Sequence, residues 1–157
     1  MSTEKLSGYL ATAATVSFTG TQTLTSLTDN EWTSLSDEID NSTNKYPYAD
    51  LDLVLGSAAF TGADAGMEIY IVPTIDGTNY PDWTDNVTTD APEQTHYGVA
   101  FLPLKASTAA RRVVSSSQSA IELPQGKFKF GVRSRANVTL AGSGNTLYYR
   151  PKSYDVV

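Results

Sequence analysis

Tyr48-Ala49-Asp50-Leu51-Asp52-Leu53-Val54-Leu55 alternates without a break: Ala49, Leu51, Leu53 and Leu55 fall on one side, Asp50 and Asp52 on the other. Successive side chains of a β-strand point to opposite faces, so this period of two marks a half-buried strand. Met67-Glu68-Ile69-Tyr70-Ile71-Val72 repeats the pattern with Met67, Ile69 and Ile71 as the apolar set. It ends at Pro73, which has no N–H to give a ladder. Residues 56 to 66 between them are small and Gly-containing, too long for a two-residue hairpin. The two strands are therefore expected as neighbours, and a second layer has to cover their apolar faces.

The later chain supplies that layer. Lys127-Phe128-Lys129-Phe130-Gly131-Val132-Arg133 alternates most cleanly, with Phe128, Phe130 and Val132 inward and Lys127, Lys129 and Arg133 outward. Strands are also expected at Ala14–Thr19, Leu24–Thr28, Tyr97–Leu104, around Arg111–Ser115 and Ala120–Leu123, and at Thr146–Pro151, separated by Ser-, Pro- and Gly-rich turns. Tyr97, Val99 and Phe101 share one face of their strand and small residues the other. About eight to ten strands with turns every ~8 to 12 residues, and no convincing helix, predict an all-β fold, an antiparallel two-sheet β-sandwich of jelly-roll-like form. The 157 residues fit one domain spanning 1–157, with 1–28 as an extended N-terminal segment.

Composition narrows the chemistry. There is no cysteine, hence no disulfide, thiolate metal site or thiol nucleophile. No run of about 18 apolar residues exists, so a membrane helix is not expected, and no secretory signal is recognised beside Glu4 and Lys5. The net charge of -6 is unevenly spread: residues 1–96 balance to -13, residues 97–157 to +7. Either the two halves form opposed surfaces that steer like copies together, or the strands mix in space and the charges interleave.

Thr28 to Ser36 reads as a turn leading into a strand, a short capped helix being the alternative. Asp37 to Asn44 offers several oxygen ligands, but without the glycine and distal glutamate of a calcium-binding loop it reads as solvated. Asp76-Gly77 is a reversal that tolerates positive φ, and it opens a long acidic loop to His96 containing Tyr80, Asp82, Trp83 and Asp85. Loops of that length commonly carry contacts. Tyr80 and Trp83 can staple the loop to the sandwich, anchor in a neighbouring subunit, or stack on a sugar with Asp76, Asn79 and Asp82 as hydroxyl partners.

Arg111, Arg112, Lys127, Lys129, Arg133 and Arg135 suggest a cationic face. The aromatics alternating with the lysines point inward, so no stacking platform for a nucleic acid is expected. No enzyme is expected either. His96 lacks a partner motif, and Asp50, Asp52 and Glu68 are the one carboxylate set that adjacent strands would bring to the ~5 to 9 Å separation of glycoside hydrolysis. No cofactor is implied.

The phrase Asp40-Asn41-Ser42-Thr43-Asn44, then Tyr48 to Leu55, then Ile69-Tyr70-Ile71-Val72-Pro73-Thr74-Ile75-Asp76-Gly77-Thr78-Asn79-Tyr80 resembles small virion structural proteins of tailed bacteriophages, of the head decoration or cement type. The likeness covers residues 37 to 83 and elsewhere extends only to the strand-and-turn style. It carries no catalytic signature. The resemblance implies a jelly-roll-like sandwich made in a bacterial host's cytoplasm and mounted on the capsid exterior. Its partner would be the major capsid protein, its form a homo-oligomer, with a trimer favoured. A carbohydrate-binding module with a glycan partner, and a tail or baseplate protein, are the other readings. The contact residues expected are Tyr80, Asp82, Trp83, Asp85, Arg111, Arg112, Lys127, Lys129 and Arg133.

Overall fold

The computed structural model describes residues 5–62, 64–87, 96–115 and 120–156, with the side chains of 5–7 and 154–156 excepted. The strands are β1 Lys5–Tyr9, β2 Ala14–Val16, β3 Ile39–Asp40, β4 Tyr48–Leu55, β5 Gly66–Pro73, β6 Gly98–Pro103, β7 Arg111–Val114, β8 Ile121–Glu122, β9 Lys127–Arg135 and β10 Thr146–Val156. They form two antiparallel sheets. Sheet A runs β1-β10-β4-β7, with β2 also on β10 and β8 also on β4; sheet B runs β3-β9-β5-β6. No helix occurs among the described residues. The fold is an all-β sandwich.

The pairing is nested. β2 pairs with β10, β3 with β9, β4 with β7 and β8, and β5 with β6, so the first half of the chain is matched in reverse by the second. This corrects the expectation that β4 and β5 are neighbours. β4 lies between β10 and β7 in sheet A, and β5 lies between β9 and β6 in sheet B. The small-residue connection crosses from one sheet to the other. Phe60, which anchors it, is 2% exposed and bridges to Ser107.

The core lies between the sheets. Ala49, Leu51, Leu53, Leu55 and Leu147 face Met67, Ile69, Phe128, Phe130 and Val132, all fully buried. Each large side chain of this set contributes about 1.5 to 3 kcal/mol by leaving water. Phe128 and Phe130 meet edge to face, their centroids 5.6 Å apart. Leu24 and Leu27 belong to the same core, but Leu24–Thr28 is turns rather than the strand expected. Ser26 and Asn30 there have positive φ, which a regular strand does not allow.

Beside β9 the chain follows as an irregular edge. Trp32 makes a single bridge to Arg133. Thr33 and Ser36 then take β9 donors with their hydroxyls, from Val132 N at 3.0 Å and Phe130 N at 2.9 Å. Hydroxyls thus stand in for carbonyls where the backbone cannot hold register. Thr28 to Glu31 is a turn whose Glu31 carboxylate accepts from Thr28 N at 2.8 Å, and neither a helix nor a regular strand follows it.

The Asn41 side chain is 3% exposed and takes three bonds. It donates to Tyr46 O and Pro124 O and accepts from Tyr46 N, which closes the loop expected to be solvated. Asp76 accepts from Thr78 N, Asn79 N, the Asn79 amide and Thr74 Oγ1, and these bonds hold its carboxyl far below the usual range. Gly77 has φ 78°, as the Asp-Gly turn requires. That turn is not a hairpin between adjacent strands, since the connection from β5 to β6 spans residues 74 to 97.

Candidate functional site

The outer face of sheet B carries most of the residues singled out from the loop and from β9. Trp83 lies against Gly131, where any Cβ would enter its ring. Its Nε1 donates to Thr33 O at 2.7 Å. The indole packs edge-on to Trp32 (5.4 Å) and Tyr70 (5.9 Å). Asp85 accepts a short bond from Ser34 Oγ, and Asn86 N donates to Trp32 O at 3.1 Å. Trp83 is therefore the staple that fastens the loop, one of the three roles open to it from sequence.

Tyr80 sits further along the same face. Its hydroxyl donates to Glu38 at 2.9 Å, and Lys129 Nζ stands 4.7 Å from its ring centroid. Burial and the Glu38 carboxylate together push the Tyr80 phenol well above its ordinary pKa. The ring shared with Lys129 and the indole spent on Thr33 do not make the open stacking pair that a sugar at this loop would need. Asp82 is exposed. Residues 88–95 of the acidic loop lie outside the described residues.

The cationic face does not exist as one surface. Arg111 and Arg112 belong to β7 in sheet A, whereas Lys127, Lys129, Arg133 and Arg135 belong to β9 in sheet B. Lys127 pairs with Glu38 at 2.9 Å. Arg133, expected outward and exposed, is 3% exposed because the returning segment lays Trp32 over it. Its guanidinium lies 5.0 Å from the Trp32 ring and 3.9 Å from Glu68. Arg135 reaches Glu68 at 3.3 Å and donates to Asn30 Oδ1 at 2.6 Å.

The carboxylates are separated by the same topology. Glu68 is on sheet B, and Asp50 and Asp52 are on sheet A. Two outer faces of a sandwich whose sheets are ~10 Å apart cannot bring them to hydrolytic distance. Asp50 is not exposed as expected: it is 6% exposed, 2.6 Å from Lys152 Nζ, and accepts from Tyr9 Oη at 3.0 Å. Asp52 is gripped by Arg112, through Nε at 2.9 Å and Nη2 at 2.5 Å. His96 lies in a turn at the start of β6. No group of three or more His, Asp or Glu side chains that could hold a metal ion occurs among the described residues.

One rule covers these pairs. Asp50–Lys152, Asp52–Arg112, Glu38–Lys127, Glu68–Arg133 and Glu68–Arg135 all join the acidic first part of the chain to the basic last part. The nested pairing requires it, because each early strand lies beside a late one. Charges of the two halves thus interleave in the fold, as the second alternative anticipated.

What remains open is the edge of sheet B. On β6, Ala100 and Leu102 face the core, and Val99 and Phe101 face out, 40% and 48% exposed. A register shift opposite Ile69 and Tyr70 accompanies this edge. Fully exposed Ile75 and the half-buried Pro73 and Tyr97 lie near its start, around a groove of about 390 Å³ that also includes Tyr80 and Pro81. Sequence reasoning grouped Tyr97, Val99 and Phe101 without assigning them outward.

No protein-family model matches this chain, and neither the curated proteins nor the solved structures contain a significant match to it.

Proposed function

We propose that this protein is a structural component of a bacteriophage virion, a decoration or cement protein that binds the outer surface of the head and strengthens contacts between major capsid subunits. The observation that carries the reading is the nested strand pairing of the β-sandwich: the order β2-β10-β4-β7 against β3-β9-β5-β6 is consistent with a long hairpin rolled up in jelly-roll fashion, an architecture recurrent in capsid proteins. The sequence resemblance of residues 37 to 83 points the same way. Fold alone does not specify function, so the surface matters too. Val99 and Phe101 on the β6 edge, with the nearby Ile75, offer an apolar contact surface. An edge strand with outward aromatics suits docking against a neighbouring chain.

In this reading the protein acts mechanically, as a small homo-oligomer, with a trimer fitting the three-fold positions of a shell. Several modest contacts from one oligomer span adjacent capsid subunits, and their effective concentrations multiply the binding. The test is the temperature at which shells assembled without the protein rupture, followed by light scattering with and without saturating protein. The expected result is a rise in rupture temperature that Phe101→Asp abolishes while the folded variant retains its own melting temperature. Unchanged rupture with the intact protein would overturn the proposal.

A further inference from the structure

The solvent face of sheet A holds a pocket that the assembly reading does not use. Tyr148, Asp52 and Val114 are direct cross-strand partners on β10, β4 and β7, so they form one row across three strands. β1 and β2 both run along β10 but are interrupted between Leu10 and Ala13. That gap, with Tyr9 and Arg150 on its rim, closes one side of the row. The resulting cavity has a volume of about 210 Å³. It is smaller than the ~300 to 1,000 Å³ of drug-sized sites, which limits the occupant to about one ring.

The polar groups are held in place before any ligand arrives. Arg112 fixes the Asp52 carboxylate through two nitrogens. The Arg150 guanidinium stacks 3.7 Å from the Tyr9 ring centroid, with Nε donating to Ala11 O at 3.2 Å. Each carboxylate oxygen accepts more than one hydrogen bond, and each guanidinium carries five N–H donors, so both forks retain capacity. Asp52 is neutralised by Arg112 and Asp50 by Lys152. Paired this way, the carboxylates and guanidinium offer hydroxyl groups acceptors and donors side by side, with the Arg150 cation at the rim. Next to these groups, the half-buried Tyr148 ring and the 56% exposed Val114 offer apolar surface.

A flat apolar wall beside a fixed acceptor and fixed donors is complementary to a pyranose, which has a C–H face and a rim of vicinal hydroxyls. We propose that the Tyr9–Asp52–Arg112–Tyr148 pocket on sheet A binds a single saccharide residue, with Asp52 accepting from one hydroxyl, Arg112 donating to its neighbour and Tyr148 under the ring. The site stands on the geometry of sheet A and does not rest on shell binding.

The test is titration of ¹⁵N-labelled protein with methyl glucoside, methyl galactoside and methyl mannoside, and with glucuronate as the charged comparison. A single ring of about a dozen heavy atoms supports a dissociation constant on the order of 1 mM. The expected result is saturable shifts of the amides at Asp52, Arg112, Val114 and Tyr148 with at least one neutral glycoside, weakened roughly tenfold by Tyr148→Ala. Val114→Trp fills the pocket from an exposed position without breaking a hydrogen bond, and it should abolish the shifts in a folded protein. The proposal is overturned if no neutral glycoside gives saturable shifts, if they centre on residues 73–81 instead, or if Val114→Trp binds as the parent does.

Discussion

Replacing Lys152 with methionine removes a charge from the most deeply buried ion pair described. Its side chain and that of Asp50 are 3% and 7% exposed, with Nζ 2.6 Å from Oδ1. The apolar stem is largely preserved by methionine, so the change isolates the ammonium group. The Tyr9 hydroxyl still donates to Asp50, at 3.0 Å. An uncompensated buried carboxylate costs about 3 to 5 kcal/mol. At about 2 to 4 °C per kcal/mol for a chain of this size, the melting temperature should fall by on the order of 10 °C at neutral pH. Asp50→Asn combined with Lys152→Met should recover most of the loss, because a neutral amide and a thioether leave no buried charge. The assay is urea unfolding followed by the fluorescence of Trp32 and Trp83, for the two single variants and the double. A single-variant cost below about 1 kcal/mol, or a double variant as unstable as the two singles summed, would refute the claim that this pair is desolvated and coupled.

The loop staple makes a second prediction. Trp83→Ala should cost about 2 to 3 kcal/mol through the lost ring contacts and the lost bond to Thr33 O, and should speed hydrogen exchange at the Asn86 amide, which donates to Trp32 O. Gly131→Val should give the same exchange phenotype by displacing the ring; normal exchange in both would show that the loop is held elsewhere. Asn41→Ala leaves the backbone groups of Tyr46 and Pro124 unpaired and should cost about 3 kcal/mol in urea unfolding; a loss below about 1 kcal/mol would mean that water replaces the amide. Stability should fall at both pH extremes. Asp76, Glu38 and Asp40 have lowered pKa values, from hydrogen bonds to Asn79, Lys127 and Ser42 respectively, so their contribution is complete above the unfolded carboxylate range and lost as pH falls below about 4. Tyr70, raised by burial, and Tyr80, raised by burial and Glu38, keep their protons when folded, so their contribution is complete below about pH 10 and lost above it. A melting temperature that stays flat from about pH 2 to 4 would contradict the acid limb.

Much of the sandwich is visible in periodicity. Leu51, Leu53, Leu55, Phe128, Phe130 and Val132 occupy the core side their alternation assigns. Alternation says which face is apolar but not which strand lies alongside, so β4 and β5 read as neighbours although their connection crosses the core between sheets. Outer faces were misread for a related reason. Arg133 alternates with Phe130 and Val132 as a solvent residue would, yet Trp32 returns over it from a hundred residues earlier. Thr33 and Ser36 look like ordinary polar residues, and only the position of β9 makes their hydroxyls backbone partners. Leu24 and Leu27 suggested a strand because buried leucines inside turns leave the same mark as leucines in a ladder. The sheet A pocket had no local signal, since Tyr9, Asp52, Arg112 and Tyr148 come from four strands spread across the chain.

Shell binding is tested most directly by co-sedimentation of the purified protein with phage heads assembled without it, across a titration, alongside its solution mass. Decoration predicts saturable binding at a fixed ratio of protein to major capsid subunit, with the solution mass of a small oligomer and loss of binding in Phe101→Asp. A protein that stays in the supernatant at every ratio, or that pellets without saturation, would contradict it.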